Sequence, residues 1–74
     1  MKFNYTLLNA FLIRKLEKDN ITLKEILKPL NMSEKRFNKI INNEGYFKVN
    51  EMLILMDILD IPTNMIEQIF YDKK

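Results

Sequence analysis

The sequence predicts an all-α fold, a compact domain of five helices. Glycine and proline, which most often interrupt helices, occur once and twice in 74 residues, whereas 47% of the residues are hydrophobic. The hydrophobic residues recur three and four positions apart through most of the chain, the spacing that places them on one face of a helix. The length gives room for a single domain, residues 1–74. The five helices are predicted at about residues 5–18, 22–29, 33–42, 50–59 and 62–71.

The boundaries around the second helix follow from local chemistry. Asn20 ends the first apolar pattern, and asparagine tolerates the left-handed conformation common at helix C-termini. Thr22, with Glu25 three positions later, has the spacing of a capping box. Pro29 has no backbone N–H and restricts the residue before it, so we expect the second helix to kink or stop there. Asn31 is again suited to a left-handed turn.

The third helix is predicted to be strongly two-faced. Ser33 is a favoured N-cap residue, and Phe37, Ile40 and Ile41 share one apolar face. The opposite face is basic and rich in amides: Lys35, Lys39 and Asn42, flanked by Arg36 and Asn38.

The last two helices are predicted to form the centre of the core or a buried interface. Asn50 is the expected cap of the fourth helix, and Pro62 suits the first turn of the fifth. Phe47 or Tyr46 is expected to pack across the helix ends. Because the fourth helix is apolar almost all round, we expect it to be buried in the core or by a partner as well. The candidates for a dimer interface are Leu55, Ile66, Ile69, Phe70 and Tyr71.

Composition argues against several classes of protein. The chain has neither cysteine nor histidine, so we expect no metal site, no cofactor, no enzymatic activity and no small-molecule substrate. We also expect no membrane span and no signal peptide, and hence a cytoplasmic protein. Charge is unevenly distributed: residues 49–71 contain four acidic residues and no lysine or arginine, while the net charge of the chain is +2. The first two thirds are therefore positive, as in a protein that lays one face on phosphate.

The segment "TLKEILKPLNMSEKRFNKII" carries a family resemblance. Its cap, turn and core positions fit the helix-turn-helix pattern in type and spacing, and "VNEMLILMDILDIPTNMIEQIF" looks like the two helices that follow in that family. Over about residues 7–70 the chain resembles lambda-repressor/Cro-type (XRE-like) helix-turn-helix domains. The matching positions of the first segment are Thr22, Ile26, Met32, Ser33, Phe37 and Ile40.

The resemblance implies a sequence-specific, double-stranded DNA-binding transcriptional regulator of the phage Cro or small-repressor type. It would act as a homodimer, with the third helix in the major groove. The candidate DNA-binding residues are Ser33, Glu34, Lys35, Arg36, Asn38, Lys39 and Asn42. The candidate phosphate contacts are Thr22, Lys24, Asn43 and Lys48. Asn38 and Asn42 have an alternative role as caps at the end of the third helix.

The chain also departs from the family pattern. Leu23 replaces the usual glutamine after the cap, Leu27 replaces a small alanine, and Ile41 replaces an acid. Asn31 replaces the turn glycine, and Pro29 is unusual in the second helix. The replacements at Leu23 and Leu27, together with the acidic last third of the chain, favour an alternative function, in which a helix-turn-helix scaffold is reused to bind another protein as a phage-type inhibitor or antirepressor.

Overall fold

The computed structural model describes residues 2–73, and within them helices account for the regular structure, so the all-α prediction is confirmed. In this part of the chain the only strand-like pairing is an isolated antiparallel bridge between Phe3 and Lys73. The helices are α1 (Thr6–Asp19), α2 (Leu23–Leu27), α3 (Glu34–Ile41), α4 (Val49–Ile58) and α5 (Ile66–Phe70). Short 3-10 turns, Lys28–Leu30 and Thr63–Met65, follow α2 and precede α5.

Caps and left-handed asparagines set the boundaries around α2, as predicted. Asn20 has a φ of 52° and donates its backbone N–H to Leu16, which closes the end of α1. The Thr22 hydroxyl accepts the Glu25 backbone N–H at 3.3 Å. Pro29 lies in the 3-10 turn, so α2 ends two residues before it.

The start of α4 and the shape of the last helix differ from the prediction. The fourth helix begins at Val49, and its N-cap is Lys48 rather than Asn50. The Glu51 carboxylate reaches back to accept the Lys48 backbone N–H at 2.8 Å, which replaces the cap expected from asparagine. The last helix is divided: Pro62 precedes a 3-10 turn, and only the residues after it are α-helical.

The core is centred on Phe47, in the connection between α3 and α4. Its ring lies 5.5 Å from that of Phe70, 5.9 Å from Tyr5 and 6.0 Å from Phe37, measured between centroids. The expectation that Phe47 or Tyr46 packs across the helix ends is met by Phe47, because Tyr46 is exposed.

The burial of α4 and α5 corrects the predicted dimer interface. Leu55, Ile69 and Phe70 are fully buried in the chain's own core, so no partner can reach them without unfolding the domain. An apolar pattern indicates burial but does not distinguish a core from an interface. Of the five candidates, Ile66 is half-buried and Tyr71 is exposed.

Within residues 2–73, none of the helices is both long enough and apolar enough to cross a bilayer.

Candidate nucleic-acid interface

The outer face of α3 is polar and open to solvent. The Ser33 hydroxyl accepts the Arg36 backbone N–H at 3.1 Å and fixes the start of the helix, as its N-cap role predicts. Phe37 and Ile40 anchor the inner face in the core. The predicted DNA-binding residues that remain exposed are Ser33, Glu34, Lys35, Asn38, Lys39 and Asn42.

Arg36 has a different role from the one predicted. Its guanidinium donates to both carboxylate oxygens of Glu51, at 2.5 and 3.0 Å, and to the backbone carbonyl of Tyr46 at 3.4 Å. The Glu51 side chain is only 7% exposed, whereas that of Arg36 is 39% exposed. This bidentate pair joins the first turns of α3 and α4, so Arg36 is a structural residue and not a free donor on the basic face.

The pair shifts the ionisation of both partners. The hydrogen bonds from Arg36 hold the pKa of Glu51 below its ordinary value, against the opposing effect of burial, and the Lys48 backbone N–H acts in the same direction as Arg36. The pKa of Arg36 is raised, chiefly by its hydrogen bonds to Glu51. Both groups are therefore charged across the neutral range, and the pair persists there.

The two asparagines after α3 serve the fold. The Asn42 amide donates to the Asn38 carbonyl at 2.9 Å, which is the capping role left open by the sequence. Asn43 has a φ of 64°, and its side chain binds both backbone polar groups of Phe3. It accepts the Phe3 N–H at 2.7 Å and donates to the Phe3 carbonyl at 3.0 Å. The predicted phosphate contact at Asn43 is thus corrected, because its amide already holds the N-terminal segment.

An open groove of about 660 Å³ lies between the N-terminal ends of α2 and α3. Two of the predicted phosphate contacts, Thr22 and Lys24, line it together with Ser33 and Lys28. We call it the α2–α3 groove. Its lining contains two lysines and two hydroxyls beside one acid, Glu25, so its net charge is positive, and Ser33 at its edge is the N-cap residue of α3.

After α3 the chain turns back and runs alongside it. The Glu44 N–H donates to the Lys39 carbonyl at 2.8 Å, near the end of α3. Further along, the Tyr46 carbonyl lies against Arg36, in the first turn of the helix. We call residues 43–48 the return segment. It ends at the exposed Lys48, the fourth predicted phosphate contact, which is also the N-cap residue of α4.

Two features of this region were missed by the sequence analysis, and no local signal reveals them. Glu51 and Asn43 each bind a residue distant in the chain, 15 and 40 positions away. Tyr46 is placed at the surface only because its neighbour Phe47 fills the core.

The described residues contain no group of three or more acidic side chains arranged to hold a metal ion. Comparison of the chain with protein-family models, with curated proteins and with solved structures finds no match.

Proposed function

We propose that this protein is a sequence-specific, double-stranded DNA-binding transcriptional regulator. In this proposal α2, the 3-10 turn and α3 form a helix-turn-helix of the lambda-repressor/Cro type, and α3 enters the major groove. The observation that carries the proposal is the exposed outer face of α3, where Lys35 and Lys39 make no ion pair within residues 2–73.

The chemistry of that face suits base edges in the major groove. A lysine donates to the O6 and N7 atoms of guanine, and an asparagine can pair with adenine. Glu34 is the one acid on the face, and a carboxylate can accept from the N4 amine of cytosine. The charges and amides of α3 therefore offer a distinct donor and acceptor pattern, which sequence-specific reading requires.

Phosphate contacts on both sides of α3 would fix its position in the groove. Thr22 and Lys24 in the α2–α3 groove are candidates on one side, and Lys48 at the end of the return segment is a candidate on the other. Contacts to phosphate orient a protein on DNA but do not discriminate sequence. Lys35 and Lys39 are accordingly the expected source of specificity.

The test is a salt series of duplex binding, using a duplex enriched by the wild-type protein from a random library. The Lys35→Ala/Lys39→Ala variant removes the two cations of the α3 face. The control, Arg14→Ala/Lys18→Ala, removes two exposed cations from α1 and changes the net charge equally. We expect the first variant to lose sequence preference and the control to retain it.

The slope of the logarithm of the binding constant against the logarithm of the salt concentration gives a second measurement. Each lost phosphate contact reduces the slope by about 0.9 for duplex DNA. A wild-type protein that binds every duplex with the same weak affinity, while circular dichroism shows it folded, would refute the proposal. So would a control variant that loses as much preference as the α3 variant.

Homodimerisation is part of the proposal. One module of this size reads a single half-site, and helix-turn-helix dimers read two half-sites roughly 34–36 Å apart. Ile66 and Tyr71 are the two predicted interface residues that the fold leaves accessible. Sedimentation of the protein alone and on its selected duplex tests this; a protein that is monomeric in both states would exclude the dimer.

The alternative is a protein-binding module of the inhibitor or antirepressor class. It is favoured by the exposed apolar side chains of Val49 and Leu53 on α4, in a stretch without lysine or arginine. Replacement of both residues by serine should leave DNA binding intact if the first proposal is correct. A folded wild-type protein without affinity for duplex DNA would favour the alternative.

A further inference from the structure

We propose that Tyr46 contacts the DNA backbone, with its phenol hydroxyl donating to a phosphate oxygen beside the major groove that α3 occupies. The inference rests on the proposed function and adds a contact outside the helix-turn-helix. None of the predicted phosphate contacts includes this residue.

Tyr46 is exposed but held in place. The residue is 71% exposed, the highest value among the large hydrophobic residues within positions 2–73. Its backbone carbonyl accepts from Arg36, which is itself bound to Glu51. Its ring packs edge-on against Phe3, at a centroid distance of 6.1 Å and an interplanar angle of 80°. A side chain that is already oriented loses little conformational entropy on binding, so a contact from it contributes more affinity.

Phe3 is itself held by the two hydrogen bonds with the Asn43 side chain, which we call the clamp. Asn43 binds both backbone polar groups of Phe3, so the surface on which Tyr46 packs is fixed at the end of α3. The two ends of the return segment are therefore tied down, one through Asn43 and the other through Arg36.

The position and charge of the return segment favour nucleic acid as the ligand of Tyr46. The segment follows α3 directly, and the Tyr46 carbonyl accepts from the guanidinium of Arg36, whose backbone lies in the first turn of that helix. A helix in the major groove has a sugar-phosphate backbone on each side, so a residue beside the helix faces phosphate rather than base edges. The nearby exposed charges in sequence are Lys39, Glu44 and Lys48, two cations to one acid. A phenol hydroxyl can donate to a phosphate oxygen.

Thr63 provides a control outside the proposed machinery. It is exposed and lies in the 3-10 turn that precedes α5. Thr63→Val removes an exposed hydroxyl, as Tyr46→Phe does, at a residue that the proposed function does not use.

The experiment compares Tyr46→Phe with Thr63→Val on the duplex selected by the wild-type protein and on a scrambled duplex. A hydrogen bond to a charged group predicts about a tenfold loss of affinity for Tyr46→Phe. The loss should be equal on both duplexes, because phosphate carries no sequence information. The salt slope should not change, because a phenol displaces no counterion. Thr63→Val should bind as the wild type does, and both variants should melt as the wild type does.

The outcomes separate this inference from the proposed function. If the wild-type protein binds its selected duplex and Tyr46→Phe binds equally well, the inference is overturned while the proposed function stands, and a protein partner becomes the better explanation for the exposed ring. A loss confined to the selected duplex would overturn the backbone assignment in favour of a base contact. A wild-type protein that binds no duplex would overturn both.

A direct reporter supports the same test. The chain has no tryptophan, so Tyr46→Trp and Ile13→Trp, the latter at an exposed residue of α1, each introduce a single one. Addition of DNA should change the emission of the first and leave the second unchanged; equal responses would overturn the assignment.

Discussion

The Arg36–Glu51 pair allows the sharpest prediction about stability, because one partner is buried and the other is open to water. The perturbation is a double-mutant cycle of Arg36→Met, Glu51→Gln and the two combined. Methionine retains the aliphatic stem of Arg36, and glutamine retains the acceptor that caps the Lys48 N–H. The cycle therefore removes the charge interaction while preserving most of the packing.

The magnitude follows from the unequal burial of the two side chains. Loss of one partner from a fully buried pair costs about 3–5 kcal/mol, and from an exposed pair about 0–1 kcal/mol. Glu51 is 7% and Arg36 39% exposed, so screening at the arginine lowers the value from the buried limit. We expect Arg36→Met to cost about 2 kcal/mol, since it strands the buried carboxylate, and the coupling energy to be about 1–2 kcal/mol.

The assay is thermal and urea unfolding followed by circular dichroism. For a domain of this size, 1 kcal/mol corresponds to a Tm shift of about 4–8 °C, so the loss in Arg36→Met is readily measured. A coupling energy below about 0.5 kcal/mol would refute the reasoning, because side chains in contact normally couple more strongly. The matched control is Lys35→Met, one position away on the exposed face, which should leave the Tm nearly unchanged.

Three further predictions concern the clamp, the carboxylate and the core. Asn43→Ala should destabilise the domain by about 1–3 kcal/mol, because it frees the backbone of Phe3 and places alanine in the left-handed region. Asn43→Gly removes only the hydrogen bonds to Phe3, so its loss of stability in urea unfolding should be smaller. Because folding lowers the pKa of Glu51, the stability it contributes is present above its unfolded pKa of about 4.3 and is lost as the pH falls through the folded value. The free energy of unfolding should accordingly depend less on pH in Glu51→Gln than in the wild type below about pH 4. An equal pH dependence in the two proteins would contradict the stabilising role of the Arg36–Glu51 pair. Leu55→Ala should lower the free energy of unfolding by about 2–5 kcal/mol without a specific effect on sedimentation. Leu53 is exposed, so Leu53→Ala should leave the Tm nearly unchanged. If Leu53→Ala were the more destabilising of the two variants, Leu55 would again be a candidate for an interface.

The local features of the fold could be predicted from the sequence because their causes lie within a few residues. Thr22 and Ser33 cap the backbone three positions later, and Asn31 takes up the left-handed conformation that follows from its short polar side chain. Pro29 ends α2 because a proline has no backbone N–H with which to continue the hydrogen bonding of the preceding turn. The one failure of this kind is the cap of α4, where the Glu51 carboxylate takes over the role expected of asparagine.

The candidate site was harder to predict, since each side chain has alternatives that only tertiary contacts decide. The helical wheel identified Lys35 and Lys39 as exposed, which requires only the position of the core. It also placed Arg36 on the edge of that face, where a long side chain reaches either solvent or a neighbouring helix. The choice depends on Glu51, 15 residues away, and no spacing rule relates the two positions.

The correction at Arg36 also changes what the basic face can do. In place of a third mobile cation, the chain has a fixed link from the first turn of α3 to α4, and the same guanidinium holds the return segment through the Tyr46 carbonyl. The end of α3 that would meet base edges is therefore linked to α4 by a bidentate ion pair. A surface that is already rigid binds its ligand at a lower entropic cost, and a misfit is not relieved by motion of the helix. In the proposed DNA complex, loss of Glu51 should thus weaken discrimination between duplexes more than it weakens binding to all of them.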